Sequence, residues 1–441
     1  MSKKLPIVAI VGRANVGKSS LFNRVVGHRR AVVAREAGTT RDSIANIVEH
    51  NDYNFWIVDT AGLKKAEDDF ETTIQEQITE AADAADVIIV VAESDISVTE
   101  EDRRVAKMAL KTQSPVVLAV NKSDKAGGQG LEHFLKLGIK EVVATSAEHN
   151  AGIDDLLDTV TKQLPKREHK ESDKVRVALI GRPNVDKSYL FNTLSKKQQA
   201  IVADVAGTTR DVNRTIVRYH EQEIELIDTA GIRRPGKIEK GIEQFSILRT
   251  LQAIEEADIC LLLVDVHEPS THLDQKIAGM IKDANKGLAL VVSKWDSIDK
   301  DAFTRDDLAP KIKHAFDFVP WAPLIFTSAV TGQNVTKIFD IVMAIESERS
   351  KEITTSTLNG WLRDMTDKHP PAGLKNRHPK LNYITQTGTN PPEFTVFGAH
   401  TEFLHWSYKR YLDREAREKF GFEGTGISWI YKEKRPNSRK K

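Results

Sequence analysis

The sequence predicts an α/β fold built from doubly wound, mostly parallel sheets. Short apolar runs, such as residues 7–11 and 87–91, alternate along the chain with stretches of helical character. A glycine-containing loop follows the first apolar run and leads directly into a helical stretch. The same group of motifs returns 169 residues later, which indicates an internal duplication and therefore two tandem domains of this class.

The composition is typical of a chain with about three packed domains. Of the 441 residues, 40% are hydrophobic, yet no apolar run approaches the ~20 residues of a membrane span, and no signal-peptide core follows Met1. The single cysteine, Cys260, lies in an apolar run and excludes an internal disulfide, so we expect a cytoplasmic protein without a membrane segment.

The net charge of +1 is unevenly distributed along the chain. Residues 351–441 carry 17 Lys and Arg against 10 Asp and Glu, a local surplus of seven positive charges. This surplus suggests that the C-terminal part binds a polyanion such as RNA, with exposed aromatic side chains such as Tyr408 and Tyr411 assisting.

A phosphate-binding loop is predicted between the run 7–11 and the helical stretch 20–26. Its residues have P-loop spacing: Gly12-Arg13-Ala14-Asn15-Val16-Gly17-Lys18-Ser19. Backbone N–H groups of such a loop surround phosphate oxygens, and the helix that follows adds the positive end of its dipole. We expect Lys18 to reach the β- and γ-phosphates, Ser19 to ligate Mg²⁺, and the small hydroxyl of Ser20 to face the α-phosphate.

Two further segments complete the expected γ-phosphate and Mg²⁺ contacts of the first domain. In the Gly-Thr-Thr-Arg-Asp segment at 38–42, Thr40 can close over the γ-phosphate and join the Mg²⁺ shell. The second segment is Asp59-Thr60-Ala61-Gly62. There we expect Asp59 to hold Mg²⁺ through water and the Gly62 N–H to sense the γ-phosphate, because glycine allows close approach.

Guanine is the base that the next motif predicts. The apolar run 116–120 leads into Asn121-Lys122-Ser123-Asp124. The Asp124 carboxylate can accept hydrogen bonds from N1–H and the 2-amino group of guanine, whereas adenine would leave it unpaired. A later strand ends in Ser146-Ala147, which supplies a backbone N–H for the guanine O6. The order of these motifs predicts a guanine-nucleotide switch domain and argues against an ATPase.

The second half of the duplication carries its own candidate nucleotide ligands. Its P-loop counterpart is Gly181-Arg182-Pro183-Asn184-Val185-Asp186-Lys187-Ser188. Ser188, Thr209 and Asp228 are the expected Mg²⁺ ligands of this half. The expected nucleotide contacts are Gly181, Asn184, Lys187, Ser188, Asp228, Gly231, Lys294, Asp296, Ser328 and Ala329.

Three residues of the second half depart from the pattern of the first. Asp186 replaces the second P-loop glycine, Tyr189 stands at the position of Ser20, and Ser293 replaces the Asn of the guanine motif. A carboxylate about 5 Å from a phosphate charge costs roughly 3 kcal/mol at an effective dielectric near 20. We therefore expect the second domain to bind nucleotide poorly, with Asp186 as the main cause.

The motifs divide the chain into three domains and a linker. We expect a first GTPase domain at 1–164, a charged linker at 165–174, a second GTPase domain at 175–349 and a small basic α/β domain at 350–441. Within the last, Gly421-Phe422-Glu423-Gly424 has the spacing of a KH clamp loop. Its acidic residue favours a turn at a helix end instead.

Two tandem guanine-nucleotide domains with a small basic tail resemble the bacterial Der (EngA) GTPase family. The resemblance lies in the Gly-Arg-x-Asn-Val start of both P-loops, in both Gly-Thr-Thr-Arg-Asp segments and in Tyr408-Lys409-Arg410-Tyr411-Leu412. It implies a KH-like third domain, GTP hydrolysis, a role in assembly of the large ribosomal subunit, and K⁺ bound at Asn15 and Asn184. Gly426 and Ser428 depart from the Pro and Arg that the family pattern has at those positions.

Hydrolysis is expected to depend on charge stabilisation. Leu63 and Ile232 follow the two Asp-Thr-Ala-Gly segments, and neither can orient a water molecule as a Gln does in Ras-type switches. Catalysis would then rest on Lys18, Asn15, Thr40 and Gly62 together with Mg²⁺, unless a monovalent cation or a partner supplies further charge.

Three functional interpretations follow from the sequence. In the first, the protein is a monomeric GTPase that binds ribosomal RNA, with an active first domain and an impaired second domain. In the second, both domains hydrolyse GTP. In the third, the protein is a non-catalytic RNA-binding assembly factor that holds nucleotide as a structural ligand. Counting the nucleotides bound per chain separates the first two interpretations, and phosphate release separates the third.

Overall fold

The computed structural model describes residues 5–28, 45–51, 53–60, 78, 81, 84–125, 131–165, 174–197, 214–228, 247–299, 303–371 and 377–433. The chain divides into two compact units. The first comprises Lys3–Glu168 and Gln244–Glu255. The second comprises Met1–Ser2, His169–Glu243 and Glu256–Lys441. No helix within the described ranges is long and apolar enough to cross a membrane.

A six-stranded sheet forms the centre of the first unit. Its strands are β1 (Ile7–Val11), β2 (Ala45–His50), β3 (Tyr53–Asp59), β4 (Val87–Glu93), β5 (Val116–Asn121) and β6 (Glu141–Ala144). They lie in the order β2-β3-β1-β4-β5-β6, and only β2 runs antiparallel to its neighbour. All five residues of β1 and all seven of β4 are buried, as expected for parallel strands covered on both faces.

Helices cover this sheet and connect its strands. They are α1 (Lys18–His28), α2 (Glu100–Leu110) and α3 (Ile153–Gln163). A capping box begins α2, in which Thr99 and Asp102 satisfy each other's backbone N–H groups. The buried residues of α3 recur at helical spacing, and they pack with β1 and β5 in one apolar cluster.

Most of another helix, α5 (Ile247–Glu256), also belongs to the first unit, although its sequence lies in the second repeat. The side chain of Glu255 is buried there. Its carboxylate accepts hydrogen bonds from the Trp56 indole N–H at 2.6 Å and from the Leu5 backbone N–H at 2.9 Å. A buried carboxylate thus holds residues 247–255 against β3 and the segment before β1.

The second unit repeats the same sheet. Its strands are β7 (Val175–Ile180), β8 (Arg214–Tyr219), β9 (Gln222–Asp228), β10 (Ile259–Asp265), β11 (Gly287–Ser293) and β12 (Leu324–Phe326). The order β8-β9-β7-β10-β11-β12 matches the first sheet strand for strand. Its helices are α4 (Lys187–Lys197), α6 (His272–Asp283), α7 (Thr304–Ala315) and α8 (Lys337–Arg349). The predicted duplication of a mostly parallel α/β domain is confirmed.

A small α/β domain completes the second unit. It contains α9 (Thr355–Lys368), β13 (Lys380–Gly388), β14 (Glu393–Ala399), α10 (Trp406–Phe420) and β15 (Ser428–Glu433). Its sheet has the order β13-β14-β15, with β14 and β15 parallel. Tyr408 lies in the apolar core of this domain, where burial raises its pKa, and Tyr411 packs against that core. The expectation that Tyr408 is exposed for RNA contact is therefore wrong, and Tyr411 is only partly exposed.

The segment 421–424 is a turn at the end of α10, as the acidic residue within it predicts. Gly421, Phe422 and Gly424 have φ values of 92°, 68° and 73°. Within this unit the turn joins the small domain to β11, because the Leu288 N–H donates to the Gly424 carbonyl at 2.8 Å. The Phe422 side chain is fully buried. These contacts give the turn a structural role.

Candidate nucleotide-binding sites

The first P-loop has a backbone that two of its glycines make possible. Gly12 and Gly17 have φ values of 157° and 90°. A Cβ at Gly12 would lie 2.7 Å from the Val91 carbonyl oxygen, and one at Gly17 would lie 2.4 Å from Nδ2 of Asn121. Either contact would force a neighbour to shift. The loop is thereby held against the ends of β4 and β5.

Lys18 lies across this loop at the start of α1. Its Nζ donates to the carbonyl oxygens of Gly12 at 2.8 Å and Arg13 at 2.6 Å. The side chain is only 7% exposed, and this burial lowers the pKa of Lys18. An anion bound in the loop would favour the charged form, so the ammonium is suited to hold phosphate oxygens.

Ser19 and Asp59 bring hydroxyl and carboxylate oxygens together beside the loop. The Ser19 Oγ donates to Oδ2 of Asp59 at 2.6 Å. Thr60 fixes the end of β3, because its Oγ1 donates to the Ile10 carbonyl at 2.8 Å. Hard oxygen donors of this kind suit Mg²⁺. Ser20 is exposed on the first turn of α1.

Several predicted residues lie outside the described part of the chain. They are Thr40, Ala61, Gly62, Leu63, Thr209, Gly231 and Ile232.

Asn121 connects the P-loop to the loop after β6, where the base is predicted to bind. Its Nδ2 donates to the Val16 carbonyl at 3.1 Å, and its Oδ1 accepts from the Ala147 N–H at 3.1 Å. The Asn121 side chain is almost fully buried, at 2% exposure. We refer to these two hydrogen bonds as the Asn121 bridge. The bridge orders both loops at once, a role that the motif alone does not reveal.

The residues predicted to recognise the base are held by neighbours that sequence reasoning missed. Burial alone would raise the pKa of Glu93, but its bonds with Lys122 and Arg13 outweigh burial and lower the pKa. Glu93 thus ties the P-loop arginine to the guanine motif. A hydrogen bond from Ser146 lowers the pKa of Asp124, which favours the carboxylate form needed to accept from guanine. In the sequence, only the position of Glu93 at the end of a buried strand could have indicated this role.

The second site has the same frame. The Nζ of Lys187 donates to the Arg182 carbonyl at 2.7 Å, and the Ser188 Oγ donates to Oδ2 of Asp228 at 3.2 Å. Lys294 pairs with Asp265 at 2.7 Å, as Lys122 pairs with Glu93.

The remaining predicted residues of the two sites lie at the corresponding loops. The P-loop asparagines Asn15 and Asn184 have similar left-handed φ values, 65° and 63°. Gly181 directly follows β7, Asp296 is exposed, and Ser328 and Ala329 follow β12.

The bridge of the first site is missing from the second. Ser293 stands at the position of Asn121, and its Oγ donates instead to the Val264 carbonyl of the neighbouring strand at 3.2 Å. Among the described residues, no side-chain hydrogen bond from Ser293 reaches the second P-loop or Ala329. Tyr189, at the Ser20 position, is 49% exposed.

Comparisons with known proteins cover nearly the whole chain. Residues 7–122 and 176–294 match a family model described as 50S ribosome-binding GTPase. Residues 352–432 match one described as the KH-domain-like C-terminal part of EngA bacterial GTPase enzymes. GTPase Der of Herpetosiphon aurantiacus is 45% identical over 438 residues, which cover 97% of this chain and 96% of that relative. GTPase Der of Thermomicrobium roseum is 42% identical over 449 residues, with 98% and 96% covered.

Proposed function

The chain belongs to the GTPase Der family of GTP-hydrolysing enzymes, and on that premise we propose that its first nucleotide site is the active switch and its second an impaired site. We propose further that the protein acts in assembly of the large ribosomal subunit. The domains would be those expected from the motifs, at 1–164, 175–349 and 350–441, with a linker at 165–174.

The Asn121 bridge is the observation that carries the proposal for the first site. A nucleotide must be held at its phosphates and at its base, and the bridge fixes Val16 and Ala147 relative to each other before binding. Preorganisation of this kind lowers the entropy cost of binding and holds the reacting phosphate in place. The second site lacks the bridge and has a carboxylate, Asp186, in its P-loop.

Mg²⁺ fits the oxygen donors of both sites. Ser19 and Asp59, with Thr40, would hold it in the first site, and Ser188, Thr209 and Asp228 would hold it in the second. When bound, the ion neutralises charge on the β- and γ-phosphates. We propose in addition that K⁺ activates hydrolysis through Asn15, and that Asn184 is the corresponding residue of the second site.

The residues of the first site contribute position and charge to hydrolysis. Lys18 would neutralise the β- and γ-phosphates, and the loop that it spans would supply backbone N–H groups to them. The Gly62 N–H and Thr40 would contact the γ-phosphate. Because Leu63 has no side-chain amide to orient water, intrinsic turnover is expected to be slow in the absence of K⁺ or a partner.

A pair of matched substitutions tests which site hydrolyses GTP. Lys18→Ala and Lys187→Ala remove the same group from the two sites, so each is the control for the other. We expect Lys18→Ala to abolish most steady-state phosphate release by the full chain and Lys187→Ala to preserve it. The reverse result would assign activity to the second site. Comparable losses in both would support two active sites, and no release by the parent protein would support a nucleotide-binding assembly factor.

The ribosomal role rests on the family membership, on the description of the matching family model and on the KH-like C-terminal match. We propose the large subunit and its RNA as partners and the cytoplasm as the location. Co-sedimentation of the full chain with purified large subunits tests this role directly. We expect binding that depends on a GTP analogue, and equal sedimentation with GDP, with the analogue and without subunits would contradict it.

A further inference from the structure

The first site shows that a side chain at the second P-loop glycine and an asparagine at the end of the fifth strand exclude each other. A Cβ at Gly17 would lie 2.4 Å from Nδ2 of Asn121, a separation that real Cβ atoms do not show. The Asn121 amide is held in place by its bonds to Val16 and Ala147, so it cannot turn away without breaking the bridge.

The second site has a similar backbone at both positions, and residue 186 is left-handed like residue 17, with φ of 61° against 90°. The Leu190 N–H donates to the Asp186 carbonyl at 2.9 Å, as the Leu21 N–H donates to the Gly17 carbonyl at 2.8 Å. Ser293 pairs with Asp265 at the end of its strand. Asn121 is paired with Glu93 in the same way. A Cβ at residue 186 therefore occupies the place that an amide at residue 293 would need.

We propose that Asp186 and Ser293 are a matched steric pair, in which the short serine accommodates the P-loop aspartate and the bridge is lost as a consequence. The two departures are then a single remodelling of the second site. This inference deepens the proposed impairment of that site and rests on it. It also identifies the pair as the determinant of guanine-nucleotide affinity there.

The pair makes a definite prediction for single and double reversions. Ser293→Asn alone returns the amide to a place that the Asp186 Cβ occupies, so it should not improve binding. Asp186→Gly alone removes the repulsion between the carboxylate and the phosphates but leaves no bridge, so it should recover only part of the affinity. Both changes together rebuild the arrangement of Gly17 and Asn121. The gain in affinity should therefore exceed the product of the two single effects by at least tenfold.

The two sites of the full chain can be measured separately. In an Asp124→Asn background the first site should prefer xanthine nucleotides, so that binding of labelled GDP reports the second site. The parent, both single variants and the double variant are titrated with GDP and Mg²⁺. Titration with XDP is the internal control, and its affinity should be the same in all four proteins.

Thermal unfolding without nucleotide gives a second readout that does not depend on binding. Ser293→Asn should lower the unfolding midpoint of the second unit, and adding Asp186→Gly should restore it. The proposed pair would be overturned if the gain in GDP affinity of the double variant lay within about threefold of the product of the two single gains. It would also be overturned if Ser293→Asn left the unfolding midpoint of the second unit unchanged. If the second site of the parent binds GDP as tightly as the first site binds XDP, the proposed impairment is contradicted. The comparison of the double variant with the two single variants still tests the pair in that case.

Discussion

Asn121→Ser should convert the first site to the unbridged arrangement of the second. The serine hydroxyl cannot span the distances to Val16 and Ala147, and the corresponding Ser293 bonds to its neighbouring strand instead. The substitution leaves the Val16 carbonyl and the Ala147 N–H without the amide that now satisfies them. Each buried group that loses its partner costs about 1–3 kcal/mol.

In the free protein the unbridged loops can turn these groups toward water, so the cost arises when GDP orders the loops and it weakens GDP binding. The costs of the two groups add. Because water can enter the space left by the amide, we place the summed cost near the lower end of its range, at about 2–3 kcal/mol. This energy corresponds to roughly 30- to 150-fold weaker GDP binding, at 1.4 kcal/mol for each factor of ten. Equilibrium titration with a labelled GDP measures it, with Asn51→Ser, an exposed amide of the same unit, as the control. An affinity within threefold of the parent would refute the role assigned to the bridge.

Three further predictions concern other features of the molecule. Ser146 lowers the pKa of Asp124, so the loss of GDP affinity that comes from protonation of Asp124 should begin only as the pH drops through that lowered pKa. Ser146→Ala should move this loss to higher pH. Titration of the parent and the variant over the same pH series cancels the titration of the nucleotide phosphate, and an unchanged acid limb would contradict the assignment. Glu255→Ala should lower the free energy of unfolding of the first unit by about 2–5 kcal/mol, because the Trp56 indole and the Leu5 N–H lose their buried acceptor. Glu255→Gln should cost less, because it keeps an acceptor oxygen. Denaturant titration with Glu132→Ala as an exposed control measures both, and equal effects of the two Glu255 variants would argue against this role. Residues 434–441 hold five of the surplus positive charges. Their removal should reduce the slope of log affinity for ribosomal RNA against log salt by up to about four, and it should leave GDP binding intact. An unchanged slope would show that these charges do not contact RNA.

The fold class and the duplication could be predicted because local patterns determine both. A buried apolar run followed by a glycine loop and a helix requires only neighbouring residues, and its recurrence at constant spacing needs no structure. The Asn121 bridge could not be predicted, because its partners lie 105 and 26 residues away and become neighbours only when the strands are ordered in the sheet. Charge counting also misled at Tyr408, where the surrounding sequence is basic but the ring is buried in the core.

The arrangement of α5 has a practical consequence for anyone who divides this protein at its motif boundaries. A truncation after residue 164 would remove the Glu255 carboxylate and leave the buried Trp56 indole N–H facing water or another chain. The first repeat expressed alone would then carry a new apolar patch on β3, of the kind that promotes self-association. Supplying residues 244–255 as a separate peptide should suppress that association, because the first repeat depends on a segment that the second repeat encodes.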